Sequence, residues 1–264
     1  MPHDAARVAA AAAHQKTAAL RILKEVLEQG DTEGAEVLIR PDCIRRYPLA
    51  PDEAAPLNDL GIVLRERFPE ARYEVKRVVS EGDLVLIHSH LVTAPGMRGA
   101  AVADIFRFQD GKVAEHWRAE QDVPQTTANG NDMFSTRSRP ATEASQTACP
   151  ARDDNKKLVT AYFEQLLVKK DVSAVDRYLA AEYRQHNPIL PDGPEGERAG
   201  LSAFFDQFPH LTVTPKLVIA EDDLVAVHAH FVNVPGERGQ MIADIFRVLD
   251  GKIVEHWDVI QDVP

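Results

Sequence analysis

The sequence predicts an α+β protein made of one domain written twice. Three observations carry this. First, residues 81–124 and 221–264 match at 26 of 44 positions without a gap, an offset of 140. Second, in each copy apolar residues recur first at helical spacing and then at a spacing of two, so helices precede strands. Third, Asp110-Gly111 and Asp250-Gly251 sit between alternating runs, where a two-residue hairpin turn needs both residues at positive φ. A period of 140 is far longer than a solenoid repeat, which leaves a tandem duplication of a domain large enough for its own core.

In order along the chain, Leu20, Leu23, Val26 and Leu27 mark a first helix ended by Gly30. Leu158, Tyr162, Phe163, Leu166 and Leu167 mark its counterpart. The alanine-rich stretch before it lacks the basic start and the apolar core of a signal peptide, and reads as a frayed helical extension. A short second helix follows in each copy (residues 32–38 and 172–180). Irregular Pro-rich stretches come next (41–56 and 183–194), then a third helix ending at Phe68-Pro69 or Phe208-Pro209. Four strands complete each copy, at 73–79, 84–93, 101–108 and 112–121, and at 211–220, 224–234, 241–249 and 252–261. The domains are placed at 17–128 and 154–264, joined by a polar linker at 129–153. The first part of that joining region, TTANGNDMF, is expected to pack on repeat one.

The formal net charge of −11 is spread along the chain. No basic patch is present to neutralise phosphates, so neither nucleic acid nor an anionic membrane surface is an expected partner. No run reaches the ~18 apolar residues of a membrane span. The two cysteines, Cys43 and Cys149, have no counterparts across the repeats and form no metal motif. A cytoplasmic location is the expectation.

The chemistry-bearing residues cluster in the best-kept stretch, HAHFVNVPGERGQMIADIFRVLDGKIVEH at 228–256 and its copy at 88–116. If the first hairpin is centred on Glu237, His230 faces Asp244 and His228 faces Phe246. A plain two-residue turn at Asp250-Gly251 then sets Trp257 opposite Asp244. One face would carry His228, His230, Asp244, Phe246 and Trp257, and in the first copy His88, His90, Asp104, Phe106 and Trp117. His256 falls on the other face and is read as sheet packing. A carboxylate beside an imidazole and flanked by aromatics suits acid–base work, because desolvation raises its pKa towards neutrality. The same pair would serve equally as a buried brace between strands. Two histidines beside Asp244 could also hold a metal, a weaker reading because Glu237 becomes Met97 in the other copy. The face with Val227, Ala229, Phe231 and Ile245 is apolar and needs a cover.

Three helices followed by a meander with ADIFR…DGK(I/V)xEHW resemble the SnoaL-like polyketide-cyclase group of the NTF2-like superfamily. Tyr183-Arg-Gln-His-Asn-Pro188 resembles the YxQHNP signature of the SnoaL-like aldol-condensation proteins, and QDVPQTTANGNDMF resembles their C-terminal tail. The resemblance implies two NTF2-like (cystatin-like cone) domains, packed on each other as an intramolecular pseudo-dimer, with room for a further homodimer. It implies a role in secondary metabolism. There a His/Asp pair would carry out an aldol-type cyclisation, isomerisation or dehydration on a small hydrophobic carbonyl-containing ligand, with no metal or organic cofactor. Asp244 and His230, with Asp104 and His90, are then the catalytic candidates. His186, His228, Trp257, Phe246, His88 and Trp117 would line the pocket. Alternatives are a non-catalytic binding module and an epoxide-opening cyclase or hydrolase. Repeat two keeps the family pattern better: His186 and Asn187 become Arg46 and Tyr47, Asp258 becomes Arg118, and Phe204 and Phe205 become Leu64 and Arg65.

Overall fold

The computed structural model describes residues 2–46, 57–136 and 152–264, and divides into two units at Val123/Pro124. The first unit runs α1 (Pro2–Arg21), a π-helical continuation (Ile22–Glu28), α2 (Thr32–Leu38), β1 (Ile39–Arg46), α3 (Leu57–Arg67), β2 (Arg72–Glu81), β3 (Leu84–Val92), β4 (Ala100–Gln109) and β5 (Lys112–Asp122). The second repeats it as α4 (Arg152–Phe163) with a π-helical continuation (Glu164–Val168), α5 (Ala174–Tyr178), β6 (Leu179–Gln185), α6 (Gly193–Gln207), β7 (Thr212–Glu221), β8 (Leu224–Val232), β9 (Gln240–Leu249) and β10 (Lys252–Asp262). Each unit is α+β, as expected, with a five-stranded mixed sheet in the order β1-β5-β4-β3-β2 or β6-β10-β9-β8-β7.

The fifth strand is a correction. Parts of the two Pro-rich stretches expected to be irregular form β1 and β6, which run parallel to β5 and β10. These edge strands are short of apolar residues, and β1 buries only Ile39 fully, so no alternation announces them. The alanine-rich N-terminus is helical from Pro2. Residues 47–56 and 137–151, which hold Tyr47, Cys149 and much of the expected linker, lie outside the described residues.

In each unit the long helix lies over one face of the sheet. Ile22, Leu23, Val26 and Leu27 pack on Val85, Ile87, Phe106 and Phe108 in the first. Val159, Tyr162, Phe163 and Leu166 pack near Val225, Val227, Phe231 and Phe246 in the second. Each such fully buried apolar side chain is worth about 1.5–3 kcal/mol. The opposite face is also withdrawn from solvent: Ala226, His228, Ala243, Ile245 and Trp257 are all buried.

Two local devices decide which residues face the helices, and both overturn the expected register. The β8–β9 hairpin is not centred on Glu237. Gly239 takes φ +77° and brings its backbone against the Phe231 carbonyl, so Val227 pairs with Asp244, His228 with Ala243 and His230 with Met241. A bulge in β10 between Ile253 and Glu255 then sets Phe246 opposite His256, Ile245 opposite Trp257, and Asp244 opposite Asp258. Asp244 and Phe246 therefore share the helix-facing side with His256, Asp258, Val227 and Ala229. His228, His230, Ile245 and Trp257 point the other way. The first unit repeats both shifts, with Ile87 opposite Asp104 and Asp104 opposite Arg118.

The glycine requirement is testable. A Cβ on Gly239 would sit 2.0 Å from the Phe231 carbonyl oxygen, whereas one on Gly236 (φ +90°) meets nothing within 4 Å. Gly239→Ala should lower stability by about 2–4 kcal/mol in denaturant titration, and Gly236→Ala by about 1 kcal/mol. Equal losses would show that the close approach does not set the hairpin.

Candidate active site

The second unit concentrates its buried polar groups on the helix side of the sheet, around His256. Its imidazole is stacked on Phe246 (centroids 4.7 Å apart), with Tyr162 from α4 edge-on to that phenyl ring. His256 Nε2 lies 3.1 Å from Asp244 Oδ1, and Nδ1 lies 2.9 Å from Gln185 Oε1. Gln185 comes from β6, the parallel edge strand, which aligns Gln185 with His256 across the sheet. Its Oε1 also accepts the Asn187 backbone N–H at 2.8 Å, while its Nε2 donates to Glu197 at 2.6 Å. Glu197, from α6, further receives the hydroxyls of Tyr162 and Tyr183. Asn187 Nδ2 donates to Asp258 Oδ2 at 2.6 Å.

This network fixes protons. The Gln185 oxygen can only accept, so Nδ1 of a neutral His256 carries the hydrogen and Nε2 presents a lone pair to Asp244. Burial depresses the His256 pKa, and burial pushes Asp244 up to about 8. Asp244 then holds the proton it shares with Nε2. Asp258 is also raised by burial, to about 7, although His256 and the Asn187 amide favour its ionised form. Burial raises Glu197 as well, against the donors around it. Among the described residues, Asp244 Oδ2 and Asp258 Oδ1 have no hydrogen-bond partner. Two buried carboxyls with pKa values raised to about 7 and about 8, each with one oxygen uncommitted, are suited to proton exchange near neutral pH.

Among the expected residues, Asp244 and Phe246 are in this cluster, and His230 is not. His230 Nε2 instead bonds the Arg238 carbonyl oxygen at 2.7 Å, inside its own hairpin loop, and His90 does the same with Arg98 at 2.6 Å. The pairings His230–Asp244 and His90–Asp104 are thus corrected to His256–Asp244 and His116–Asp104, because the hairpin and the bulge reverse the faces. His228 lies on the far face against the Ile242 carbonyl, its pKa lowered to about 4 by burial. His88 meets Arg77 there. The reversal also removes the arrangement of His228, His230 and Asp244 as metal ligands. Trp257 is on that far side too, stacked with His186 at 5.1 Å; His186 in turn contacts Glu255 at 3.0 Å. Trp117 keeps the equivalent place between Arg46 and Arg107. Spacing missed His256, Asp258, Glu197, Gln185, Tyr162 and Asn187. Gln185 and Asn187 lie within the YRQHNP run, and Asp258 is where the copies differ in charge.

The first unit keeps the Asp–His bond but sets a cation beside it. His116 Nε2 bonds Asp104 at 2.8 Å, but Arg118 stands where the second unit has Asp258, 3.1 Å from Asp104. Arg118 also reaches Tyr73 and Glu120. Burial opposes ionisation of Asp104, yet Arg118 and His116 outweigh it and hold its pKa below the usual range. Tyr162, Tyr183, Gln185 and Glu197 correspond to Ile22, Cys43, Arg45 and Leu57. Both clusters are buried, Asp104, His116 and Arg118 at 0–1 % exposure and Asp244, His256 and Asp258 at 4–5 %. Two surface hollows, of about 700 Å³ beside α4 and 440 Å³ at the β8–β9 hairpin, are lined by none of these residues.

Ligand atoms of Asp244, His256 and Asp258 all lie within 4.8 Å of one another, close enough to surround a cation. Among the described residues no helix is long and apolar enough to cross a membrane.

A family model for the SnoaL-like domain matches the chain twice, at residues 20–116 and 159–256. The chain belongs to the SnoaL-like domain family. Each match spans most of one unit and includes its Asp–His pair, ending at His116 or His256. Solved structures similar to this SnoaL-like chain each align with about one domain of it. TsrD from Streptomyces laurentii is 24 % identical, with a TM-score of 0.37, covering 42 % of this chain and 91 % of its own. IdmH from Streptomyces antibioticus, a candidate polyketide cyclase, is 21 % identical (TM-score 0.35; 40 % and 91 % covered). AclR from Streptomyces galilaeus, a candidate hydroxylase, is also 21 % identical (TM-score 0.35; 42 % and 91 %). No curated protein matches the chain.

The opposite electrostatics of the two clusters predict opposite mutational signs. A carboxyl with a raised folded pKa binds its proton more tightly in the fold than the unfolded value of ~4 allows. Its stabilising contribution is full at acid pH and is lost as pH rises from ~4 through the folded pKa. Asp258→Asn should therefore be more stable than the parent at pH 8, on the order of 1–3 kcal/mol, with the difference shrinking towards pH 4. Arg118→Ala strands a buried Asp104 charge and should cost about 3–5 kcal/mol at neutral pH. Thermal unfolding between pH 4 and 8 measures both, and destabilisation by Asp258→Asn at pH 8 would refute the assigned proton states.

Proposed function

We propose that the second domain is an acid–base enzyme acting on a small carbonyl-containing molecule, and that the first is its non-catalytic companion. The observation that carries this is the buried Asp244–His256–Gln185 chain, ending in an uncommitted Asp244 Oδ2 beside a second buried carboxyl, Asp258. Asp244 Oδ2 takes a proton from the carbon α to the substrate carbonyl. As it does so, the proton on Oδ1 passes to His256 Nε2. The C–H electron pair moves onto the carbonyl oxygen as an enolate, and the imidazolium left behind balances the charge. Protonated Asp258 donates a hydrogen bond to that oxygen. The enolate then attacks a second carbonyl in an aldol closure, is reprotonated elsewhere in an isomerisation, or expels a β-hydroxyl in a dehydration. In each case His256 returns its proton. Leu201, Phe205, Val213 and Ile242 belong to the apolar core of the same domain, an environment that suits a ligand with a hydrophobic, polyketide-like body.

The face-to-face pairing of Asp244 with Asp258 also favours a second reading. One carboxylic acid could protonate an epoxide oxygen while the other carboxylate activates the incoming hydroxyl. Assays with ketone and epoxide substrates side by side separate the two.

Asp244→Asn should lower kcat/KM by at least about 10³-fold, while Asp104→Asn leaves it within about twofold. The parent rate should hold below neutrality and fall as pH rises through the two carboxyl values, about 7 and about 8, because both carboxyls act in their protonated form. Loss of turnover in Asp104→Asn with retention in Asp244→Asn would assign the reaction to the wrong domain here.

A further inference from the structure

We infer that the segment 124–136, which follows the first repeat in sequence, completes the second domain's site, and that Asn129 is a positioning residue acting through Asn187 on Asp258. The inference rests on the acid–base reading of Asp258. The segment was expected on repeat one; the structure groups it with the second unit, and its bonds fall on the residues from Gln185 to Leu190. Ala128 N–H donates to the Pro188 carbonyl at 2.7 Å. Asn129 Nδ2 spends its hydrogens on the carbonyls of Asn187 (2.6 Å) and Leu190 (3.0 Å). Asn131 Nδ2 donates to the Gln185 carbonyl at 2.9 Å, and His186 Nδ1 meets the Asp132 carbonyl at 2.6 Å. Trp257 Nε1 anchors the far end on the Ser135 carbonyl at 2.9 Å, and Met133 is buried.

The stretch so gripped bears the two amides that organise the cluster. Gln185 orients His256, and Asn187 donates to Asp258. Apart from the segment, the turn is held by Asn187's own bonds to Ile189 N–H and Gln185 Oε1, by Asp192 on the Gln185 N–H, by the Leu190 N–H on the Asn187 carbonyl at 3.3 Å, and by His186, whose N–H donates to the His256 carbonyl and whose ring meets Glu255. An amide held at 2.6 Å loses its bond if the backbone carrying it moves by about 1 Å. Asn129 fixes that backbone at the carbonyl of the same residue whose side chain makes the bond. In the first unit the matching residues are Arg45, Arg46 and Tyr47, and Arg118 replaces the carboxyl that would need an amide.

The test uses the full chain with ¹³C-carboxyl-labelled aspartate, titrated by NMR in the parent, Asn129→Ala and Asn129→Asp. The indole N–H of Trp257, resolved in a Trp117→Phe background, reports docking of the segment. Both variants should raise the titration midpoint of Asp258 by about one pH unit, because it loses a donor that favours its ionised form. Asp104 should not move. An unmoved or lowered Asp258 midpoint overturns the proposal. So does unfolding of both variants, which would make the segment a structural brace. If Asp258 moves as expected but the parent's Asp244 and Asp258 both titrate in the ordinary carboxylate range, positioning stands and the acid–base function falls. If they titrate near neutrality and Asn129 changes nothing, only the positioning falls.

Discussion

The bulge in β10 is the constraint on which the second domain's site depends. A strand presents alternate residues to alternate faces, so one extra residue between Ile253 and Glu255 exchanges the roles of everything after it. Without it, Trp257 would face the helices beside Asp244, and His256 would join Ile245 on the other side. With it, an imidazole meets a carboxyl in the interior and two aspartates lie opposite each other on adjacent strands. The parallel edge strand β6 completes the arrangement, because its register with β10 delivers Gln185 to His256.

The duplication offers an internal control on what that scaffold does. Both copies keep the bulge, the Asp–His bond and the aromatic ring stacked on the imidazole, at 4.8 Å in the first and 4.7 Å in the second. The backbone therefore does not make the chemistry. One exchange, Asp258 for Arg118, changes the sign of the charge beside a buried aspartate. In the first domain the guanidinium keeps Asp104 ionised, and Tyr73 and Glu120 occupy the remaining donors, so its proton affinity is no longer near neutrality. In the second, burial drives both carboxyls upward, and at Asp258 the neighbouring Asp244 adds to it. A buried pair of this kind weakens a fold at neutral pH, a cost consistent with the proposed acid–base role.

The repeat, the helix-then-sheet order, the four-strand meander and the family were all legible in the sequence, because periodicity and the ADIFR…DGK run are local signals. The register was not. Hairpin centring depends on where Gly239 folds back on Phe231, and a bulge adds a residue without altering composition, so counting from the turns put His230 where His256 belongs. The edge strands escaped for a different reason: β1 carries the sequence IRPDCIRR, with little apolar alternation to show. Asp244 and Phe246 were found because a shift that reverses β8 and β10 leaves β9 as the common reference. The charge reversal at Asp258 was visible as a difference between copies, but its meaning depended on knowing that residue 258 faces residue 244.

The same logic explains why this cluster needs so many neutral donors. With His256 neutral, no cation among the described residues pairs with Asp244, and each further buried carboxylate would raise the cost of ionising its neighbour. Glu197 and Asp258 are instead met by amides and phenols: Gln185, Asn187, Tyr162 and Tyr183. Such groups orient a carboxyl without fixing its charge, whereas an arginine fixes it. The proposed acid–base role, in which the cluster gains and loses a proton in each turnover, is served by the former. The YRQHNP run supplies both amides from six consecutive residues, so a single turn of backbone sets the hydrogen bonds of His256 and Asp258 together.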